Sequence, residues 1–569
     1  MSYPTIERYQ EALQHPENAF NNQELRHAKF KNNGLGIPLA LCGGFALTYT
    51  ATCINNKKYA VRCFHKQSNL LEERYTAISQ KLKSLNSAYF LEFDFHAQGI
   101  LIDKKYFPIL KMAWALGETL GTFIEKNLQN SLALANLRTS LRKLALFLEL
   151  NNMAHGDIQI DNIIVSQEGQ SIKLIDYDGM YVDTIKYLGS SELGQRNFQH
   201  PQREKLNPYD NTLDRFSLIS LTLALEVLEK NFNLWRETSS GDAVIFRAND
   251  FNDPSSSTTF ARLSGIAGYN QKITWFKAIC EATYLQVPAL EDFLNGINIP
   301  QEKAQSFYPT SHAYIPAFPV VNASDFWACF KQVGNKVELI GKIIEIKEDI
   351  ARNRRPYIFL NFGNWRGENV KLVIWDSDRP EFRSFEPQGG WVGKWISVTG
   401  LVMPPFKNTT HHAKPYTHIA INIDQKNQVT LINEDMAMFR LGKPQTSPTI
   451  NSSKASTNID ILERVKKLEK SGSQIKQSNL APSSNKVLLN KIYQTQIVNS
   501  IQYSQASLNS TQKIFKPSFQ PLPQKSLPSQ PPERSRCSNL IKKKACRNIL
   551  TYLVILFFIY LFLHIFFKL

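Results

Sequence analysis

Apolar and polar positions alternate with a period of two in five runs, at 337–346, 357–362, 370–375, 395–402 and 418–423. Gly363, Gly389 and Gly390 fall between them, so each run reads as a strand that ends in a turn. Five strands within residues 333–432 fit a small closed barrel, with Gly341 in the first strand where the chain must bend. A helical period appears at 70–85, where Leu71, Tyr75, Ile78, Leu82 and Leu85 share one face. Apolar runs on either side of Glu168-Gly169 read as a β-hairpin whose second strand ends in Asp176.

The last pattern is of another kind. Residues 549–567 form a predominantly apolar run of 19 residues. At about 1.5 Å per residue such a helix spans roughly 28 Å, close to a hydrocarbon core. Arg534, Arg536, Lys542, Lys543, Lys544 and Arg547 precede it. Positive charge stays on the cytoplasmic side, so the expectation is a single-pass C-terminal membrane anchor with the body in the cytoplasm. Between body and anchor, residues 436–548 are rich in Ser, Asn, Gln, Pro and Lys and read as a disordered basic linker. Within it, Ile459, Leu462, Val465 and Leu468 have helical spacing over 458–470.

Composition narrows the class. The chain has 569 residues, 43% of them hydrophobic, which means several folded domains rather than a disordered protein. Its formal charge is +17, yet residues 441–569 carry +15 of that and residues 1–440 only +2. The basic character therefore belongs to the tail and is no sign of a nucleic-acid-binding body. Seven cysteines, with no C-x-x-C pair, exclude a zinc ribbon or a thioredoxin-like motif and point to a reducing compartment. The N-terminus has no apolar stretch of the signal-peptide kind.

Candidate chemistry concentrates at 155–182. Asp157 is followed five positions later by Asn162, and the hairpin then brings in Asp176. One carboxylate can orient a hydroxyl nucleophile, while an Asn and a second carboxylate can hold Mg²⁺ on a triphosphate. Phosphoryl transfer needs little more, because its catalysis is largely positioning and charge neutralisation.

This stretch resembles the catalytic core of the protein-kinase superfamily, above all bacterial kinase-like proteins whose catalytic loop reads His-Gly-Asp, here His155-Gly156-Asp157. The resemblance covers 35–295 and implies an α+β, bilobal kinase-like fold that uses ATP and Mg²⁺. It implies Asp157 as catalytic base and Asn162 and Asp176 as metal ligands, with Asp178 standing where kinases have the Gly of Asp-Phe-Gly. Gly43 and Gly44 match the glycine-rich hairpin, and Arg62 stands at the ATP-anchoring lysine, with Glu73 or Glu72 as its partner. Met112 falls near the gatekeeper place and Ala113 beside it in the adenine hinge. Gln159 replaces a phosphate-contacting lysine, Gln202 replaces the Glu that closes the activation segment, and Asp214 is assigned to fixing the catalytic loop. His155 reads as a packed residue, and Cys42, Cys53 and Cys63 as buried hydrophobes.

The five-strand region resembles an OB-fold. Its ligand-bearing loops would hold Arg352, Arg354 and Arg355, and His411, His412, Lys414 and Tyr416. Single-stranded nucleic acid or a protein is the expected partner there. His411-His412 is a poor metal site, since no carboxylate or thiol lies at ligand spacing.

The expected order is an N-terminal extension (1–34), the kinase-like domain (35–295), a connector (296–332), the OB-like barrel (333–432), the linker and the anchor. The functional expectation is a membrane-tethered serine/threonine kinase acting on a protein substrate. Arg62, the incomplete glycine loop and Gln159 leave two alternatives: a pseudokinase scaffold, or a nucleic-acid-sensing signalling protein that uses the barrel.

Overall fold

The structure, a computed structural model, describes residues 3–42, 46–66, 70–238, 242–301, 313–351, 353–375, 389–408 and 415–442. The chain divides into two units, Met1–Thr449 and Ile450–Leu569, and the described residues all belong to the first. The expected helix at 458–470 and the anchor at 549–567 lie outside them, as do Gly43, Gly44, Arg352, His411, His412 and Lys414. Among the described residues no helix is long and apolar enough to cross a membrane.

The chain opens with helix α1 (Ile6–Ala12) and then builds an antiparallel sheet. Its strands are β1 (Lys29–Phe30), β2 (Ala40–Cys42), β3 (Ala46–Thr52), β4 (Lys58–Phe64), β5 (Phe93–Ile102) and β6 (Lys105–Ala113). They run in the order β1-β3-β4-β6-β5, with β2 paired to β3. Helix α2 (Leu71–Leu85) connects β4 to β5. It buries Tyr75, Ile78 and Leu82, the face that the helical period predicts, because those residues meet Phe64, Phe93 and Leu110 of the sheet. Residues 3–34 are part of this sheet region: Ile6, Tyr9 and Leu13 join a core with Val61, Cys63 and Ile109, and the Tyr9 hydroxyl donates to Phe64 O at 2.6 Å.

A mostly helical region follows. Short β7 (Glu118–Thr119) leads into α3 (Leu120–Asn127) and the long α4 (Ser131–Leu150). The functional loop lies between β8 (Met153–Ala154) and β9 (Ile163–Ser166), and β9 pairs with β10 (Ser171–Leu174) in the expected hairpin. After β11 (Tyr181–Val182) comes α5 (Arg215–Lys230), buried over most of its length, and then α6 (Asn270–Glu281). One apolar core runs from Tyr75 and Met112 through Leu141 and Leu148 to Phe216 and Phe276, which ties the hairpin to both regions. This buried continuity is what fixes the loop in place.

The last module contains β12 (Val320–Asn322), α7 (Phe326–Phe330), β13 (Lys336–Lys342), β14 (Glu345–Ile350), β15 (Pro356–Asn361), β16 (Glu368–Trp375), β17 (Trp395–Leu401), β18 (Phe406–Asn408), β19 (Tyr416–Asn422) and β20 (Val429–Ile432). The expected closed five-stranded barrel is not formed. The strands make two sheets, β12-β13-β17-β20 and β14-β15-β16-β19-β18, around one core. Pairing with different neighbours explains the split: the first apolar run is interrupted after Lys342, so β13 lies on β17 whereas β14 lies on β15. A bridge between Val402 and Ile421 links the two sheets. Gly341 is needed for closeness, since a Cβ there would sit 2.5 Å from Ala323 Cβ.

Residues 434–440, partly within the expected disordered linker, form helix α8 (Glu434–Arg440). Its order has a polar cause. The buried Glu338 carboxylate accepts from Arg440 at 2.7 Å, from Ser397 at 2.8 Å and from Tyr314 at 2.7 Å. Leaving that carboxylate buried without Arg440 would be costly.

Candidate active site

Asp157 stands in a loop whose backbone is held by Asp214. The amides of His155 and Gly156 donate to Asp214 Oδ2 and Oδ1 at 2.5 and 2.8 Å. Gly156 adopts φ +81° and a Cβ on it would meet Gly179 O at 2.3 Å, so only glycine serves here. Burial pushes the Asp214 carboxyl up, while the two amides pull it back down. Asp214 is the residue that the sequence reading expected to fix this loop, and these are the two bonds it accepts there.

Asp157 is itself buried and fully engaged. Its Oδ2 accepts from Gln159 Nε2 at 2.7 Å and from Asn162 Nδ2 at 2.8 Å. Its Oδ1 accepts the backbone N–H of Gln195 at 2.8 Å. Burial raises its carboxyl above the usual range, and these donors act against that rise. Asn162 therefore turns toward Asp157 in this state, and the expected pairing of Asn162 with Asp176 is not what its amide does.

Asp176 and Asp178 follow the hairpin and face β4. Arg62 Nη1 lies 2.7 Å from Asp176 Oδ1, and Arg62 Nη2 lies 2.7 Å from Asp178 Oδ2. The Tyr75 hydroxyl of α2 donates to the other oxygen of Asp178. This corrects the expected pairing of Arg62 with Glu73 or Glu72. Glu73 is exposed and accepts the Tyr187 hydroxyl instead, and Glu72 is also exposed. The reason is electrostatic: a guanidinium that is 4% exposed is held better by two inward carboxylates than by one solvated glutamate.

Glu192 completes a trio that the sequence reading missed. Asp176, Asp178 and Glu192 offer carboxylate oxygens that lie within 4.8 Å of one another. Burial, then neighbouring like charge, holds Glu192 well above its usual value. An all-oxygen set of this kind suits a hard divalent cation such as Mg²⁺, and Arg62 already engages two of its members. The Asp176-Tyr177-Asp178 spacing was the available signal. Glu192 had none, because it arrives from a segment without periodicity.

That segment, 189–199, lies over Asp157. Gly194 has φ +76°, and a Cβ there would come 2.9 Å from Asp157 Oδ1. Arg203, 2% exposed, donates to Leu193 O at 3.3 Å, Glu192 O at 3.4 Å and Pro208 O. Arg74 donates to Gly189 O at 3.0 Å and to the Tyr209 hydroxyl at 2.8 Å. Gln202, at the place expected to close the segment, donates to Ala282 O at 3.3 Å and accepts from the Tyr284 amide at 3.1 Å.

The expected adenine edge lies at the end of β6. Met112 is buried, and the Ala113 amide is used by Glu92 O at 3.0 Å. His155 is a core residue, as expected, with Nε2 2.9 Å from Ile175 O. Cys53 and Cys63 are buried, and burial pushes both thiols up.

No family profile matches the chain, and no curated protein does. Among solved structures, the kinase PK-1 of Cydia pomonella granulovirus is a neighbour at 15% identity and a TM-score of 0.28, covering 36% of this chain and 72% of the viral one. That likeness is too slight to add to the geometry.

Proposed function

We propose that the chain is a kinase-type phosphotransferase that moves the γ-phosphate of ATP to serine or threonine hydroxyls of a protein, described here in a closed resting state. One observation carries the reading. Asp157 is held by Asp214-fixed backbone and bonded to Asn162, in the loop that leads into the hairpin bearing Asp176 and Asp178. Asp157 is the group suited to orient a hydroxyl and take its proton. Mg²⁺, when bound, would neutralise charge on the triphosphate, and Asp176, Asp178 and Glu192 are the residues to hold it, with Asn162 joining once released from Asp157. Met112 and Ala113 would border the adenine, and Gly43 and Gly44 the phosphates. The apolar run at 549–567 would tether this body to a membrane.

A second reading has its own support. Arg62 spends its guanidinium on Asp176 and Asp178 rather than on Glu73, an arrangement suited to a pseudokinase scaffold in which an internal cation fills the acidic site. Thermal unfolding with millimolar Mg-ATP, beside ATP turnover by the wild type and by Asp157→Ala, separates the two. A ligand of the native state must raise apparent stability. Turnover lost in Asp157→Ala is expected; no thermal shift and no turnover in the wild type would leave the scaffold.

A further inference from the structure

The groove that holds Asp157 and the carboxylate trio lies between the sheet region and the helical region. At the β5 edge of the sheet the two regions are joined directly. The Leu174 amide of β10 donates to Tyr89 O at 2.8 Å, and the Leu91 amide donates to the Tyr177 hydroxyl at 2.8 Å. Tyr89 and Phe90 pack on Phe147 of α4, with ring centroids 5.0 and 6.1 Å from its own. At the opposite edge, where β1 and β2 pair with β3, the module of β12 to α8 stands against both regions.

On the sheet side its contact is apolar and buried. Met403 belongs to one core with Ile6, Ala40 and Leu47, and Leu401 and Ala420 pack against that core. Val333 packs both there and against the module's own core, which joins the two. The Trp375 indole lies so close on Gly34 that a Cβ would have no room, and Asn353 Nδ2 donates to Gly34 O.

On the helical side the contact is polar and part-exposed. Lys336 Nζ, at the start of β13, lies 3.1 Å from Asp161 Oδ2, one residue before Asn162 in the functional loop. Those side chains are 27% and 36% exposed. A Cβ on Gly121, near the start of α3, would lie 3.6 Å from Asn427 Nδ2. Asn249 donates to Ala313 O at 2.8 Å and accepts the Ile315 amide at 2.9 Å, in the stretch that leads to β12. Asp424 stands where the three bodies meet. Burial raises its carboxyl, Asp161 adds to the rise, and Lys31 of the sheet region and Lys336 oppose it.

The two attachments differ in strength. Buried apolar contact is costly to separate, whereas a part-exposed ion pair contributes little. The module is therefore fixed to the sheet region, and its contacts at Asp161 and Asn249 are the ones that part. A groove that opens by hinge rotation about the β5 edge must separate Lys336 from Asp161. We propose that the module of β12 to α8 is a strap carried by the sheet region, holding the groove over Asp157 closed through Lys336 on Asp161 and setting how often it opens. That Mg-ATP is what enters rests on the kinase-type reading; the strap itself does not.

The test is hydrogen exchange of the full chain without nucleotide, read by mass spectrometry over 118–124 and 155–165, the stretches beside the releasable end. Lys336→Glu puts a negative charge opposite Asp161 and Asp424 and should quicken exchange there by about tenfold, with β3 and β4 unchanged. Pairing it with Asp161→Lys should return exchange toward the wild type. Urea unfolding should find Lys336→Glu as stable as the wild type and Met403→Ala less stable, since only the second touches the buried end. Unchanged exchange in folded Lys336→Glu would overturn the proposal. So would an equal rise in β3 and β4, which marks a loss of stability everywhere. Stopped-flow binding of Mg-ATP tests the kinase-type reading separately. Quicker association in Lys336→Glu is expected; exchange that responds while neither protein binds Mg-ATP would remove that reading and leave the strap standing.

Discussion

The backbone N–H of Gln195 is bonded to Asp157 Oδ1 at 2.8 Å. The carboxylate offered as base is thus satisfied by the segment that covers it, and a hydroxyl substrate would have to take that segment's place. Gln195 has φ −76°, which proline also adopts. Gln195→Pro should remove the donor at little cost to the residue's own backbone. Protease cleavage within 189–195 should quicken in the variant; unchanged cleavage would mean that this bond does not hold the segment down.

Asp157→Ala and Asp176→Ala should each abolish phosphate transfer, with Asp157→Ala leaving Mg-ATP binding nearly intact. On the proposed reading transfer needs the Asp157 carboxylate, and its carboxyl is raised by burial. Activity should therefore rise with pH through a value above the usual carboxylate range, and this limb should disappear in Asp157→Ala. An acid limb at an ordinary carboxylate value would assign the proton to another group.

Arg62→Ala should be strongly destabilising, by about 3–5 kcal/mol, because it leaves Asp176 and the buried Asp178 without their counter-charge. Glu73→Gln, at an exposed position bonded to Tyr187, should cost less than about 0.5 kcal/mol. Urea unfolding of both variants measures the difference, and equal losses would restore Glu73 as the partner. Arg62→Lys adds a functional readout. It should preserve or raise turnover if the site is an adapted kinase, and create no ATP-dependent thermal shift if the lobe is a scaffold.

Arg440→Ala should destabilise the module of β12 to α8 by about 3–5 kcal/mol, since Glu338 would keep its burial and lose its cation. The paired change Glu338→Gln with Arg440→Met should recover part of the loss, and urea unfolding of the single and double variants reports the coupling. Full additivity of the two changes would deny it.

The readable parts of the chain were those with strict periodicity or fixed spacing. Helix α2 buries Tyr75, Ile78 and Leu82 as its period requires, and the interval from Asp157 to Asn162 and the hairpin to Asp176 places those groups in one neighbourhood. Partner choice was not readable. Arg62 had Glu72 and Glu73 ten and eleven positions further on and two aspartates far along the chain, and only the packed β4–hairpin contact decides between them. The break after Lys342 was hidden because Ile343 and Ile344 continue the apolar run. Glu192 and Gly194 sit in a polar stretch whose placement depends on Arg203 and Arg74, both buried by tertiary structure rather than by pattern.

Among the described residues, the hydrogen bonds of Arg203 go to main-chain oxygens, those of Glu192, Leu193 and Pro208. A clasp of that kind does not read side chains. Residue 193 can be rewritten without loosening it, whereas Glu192 and Gly194 of the same segment are constrained on other grounds, one by its place in the carboxylate trio and the other by the space beside Asp157.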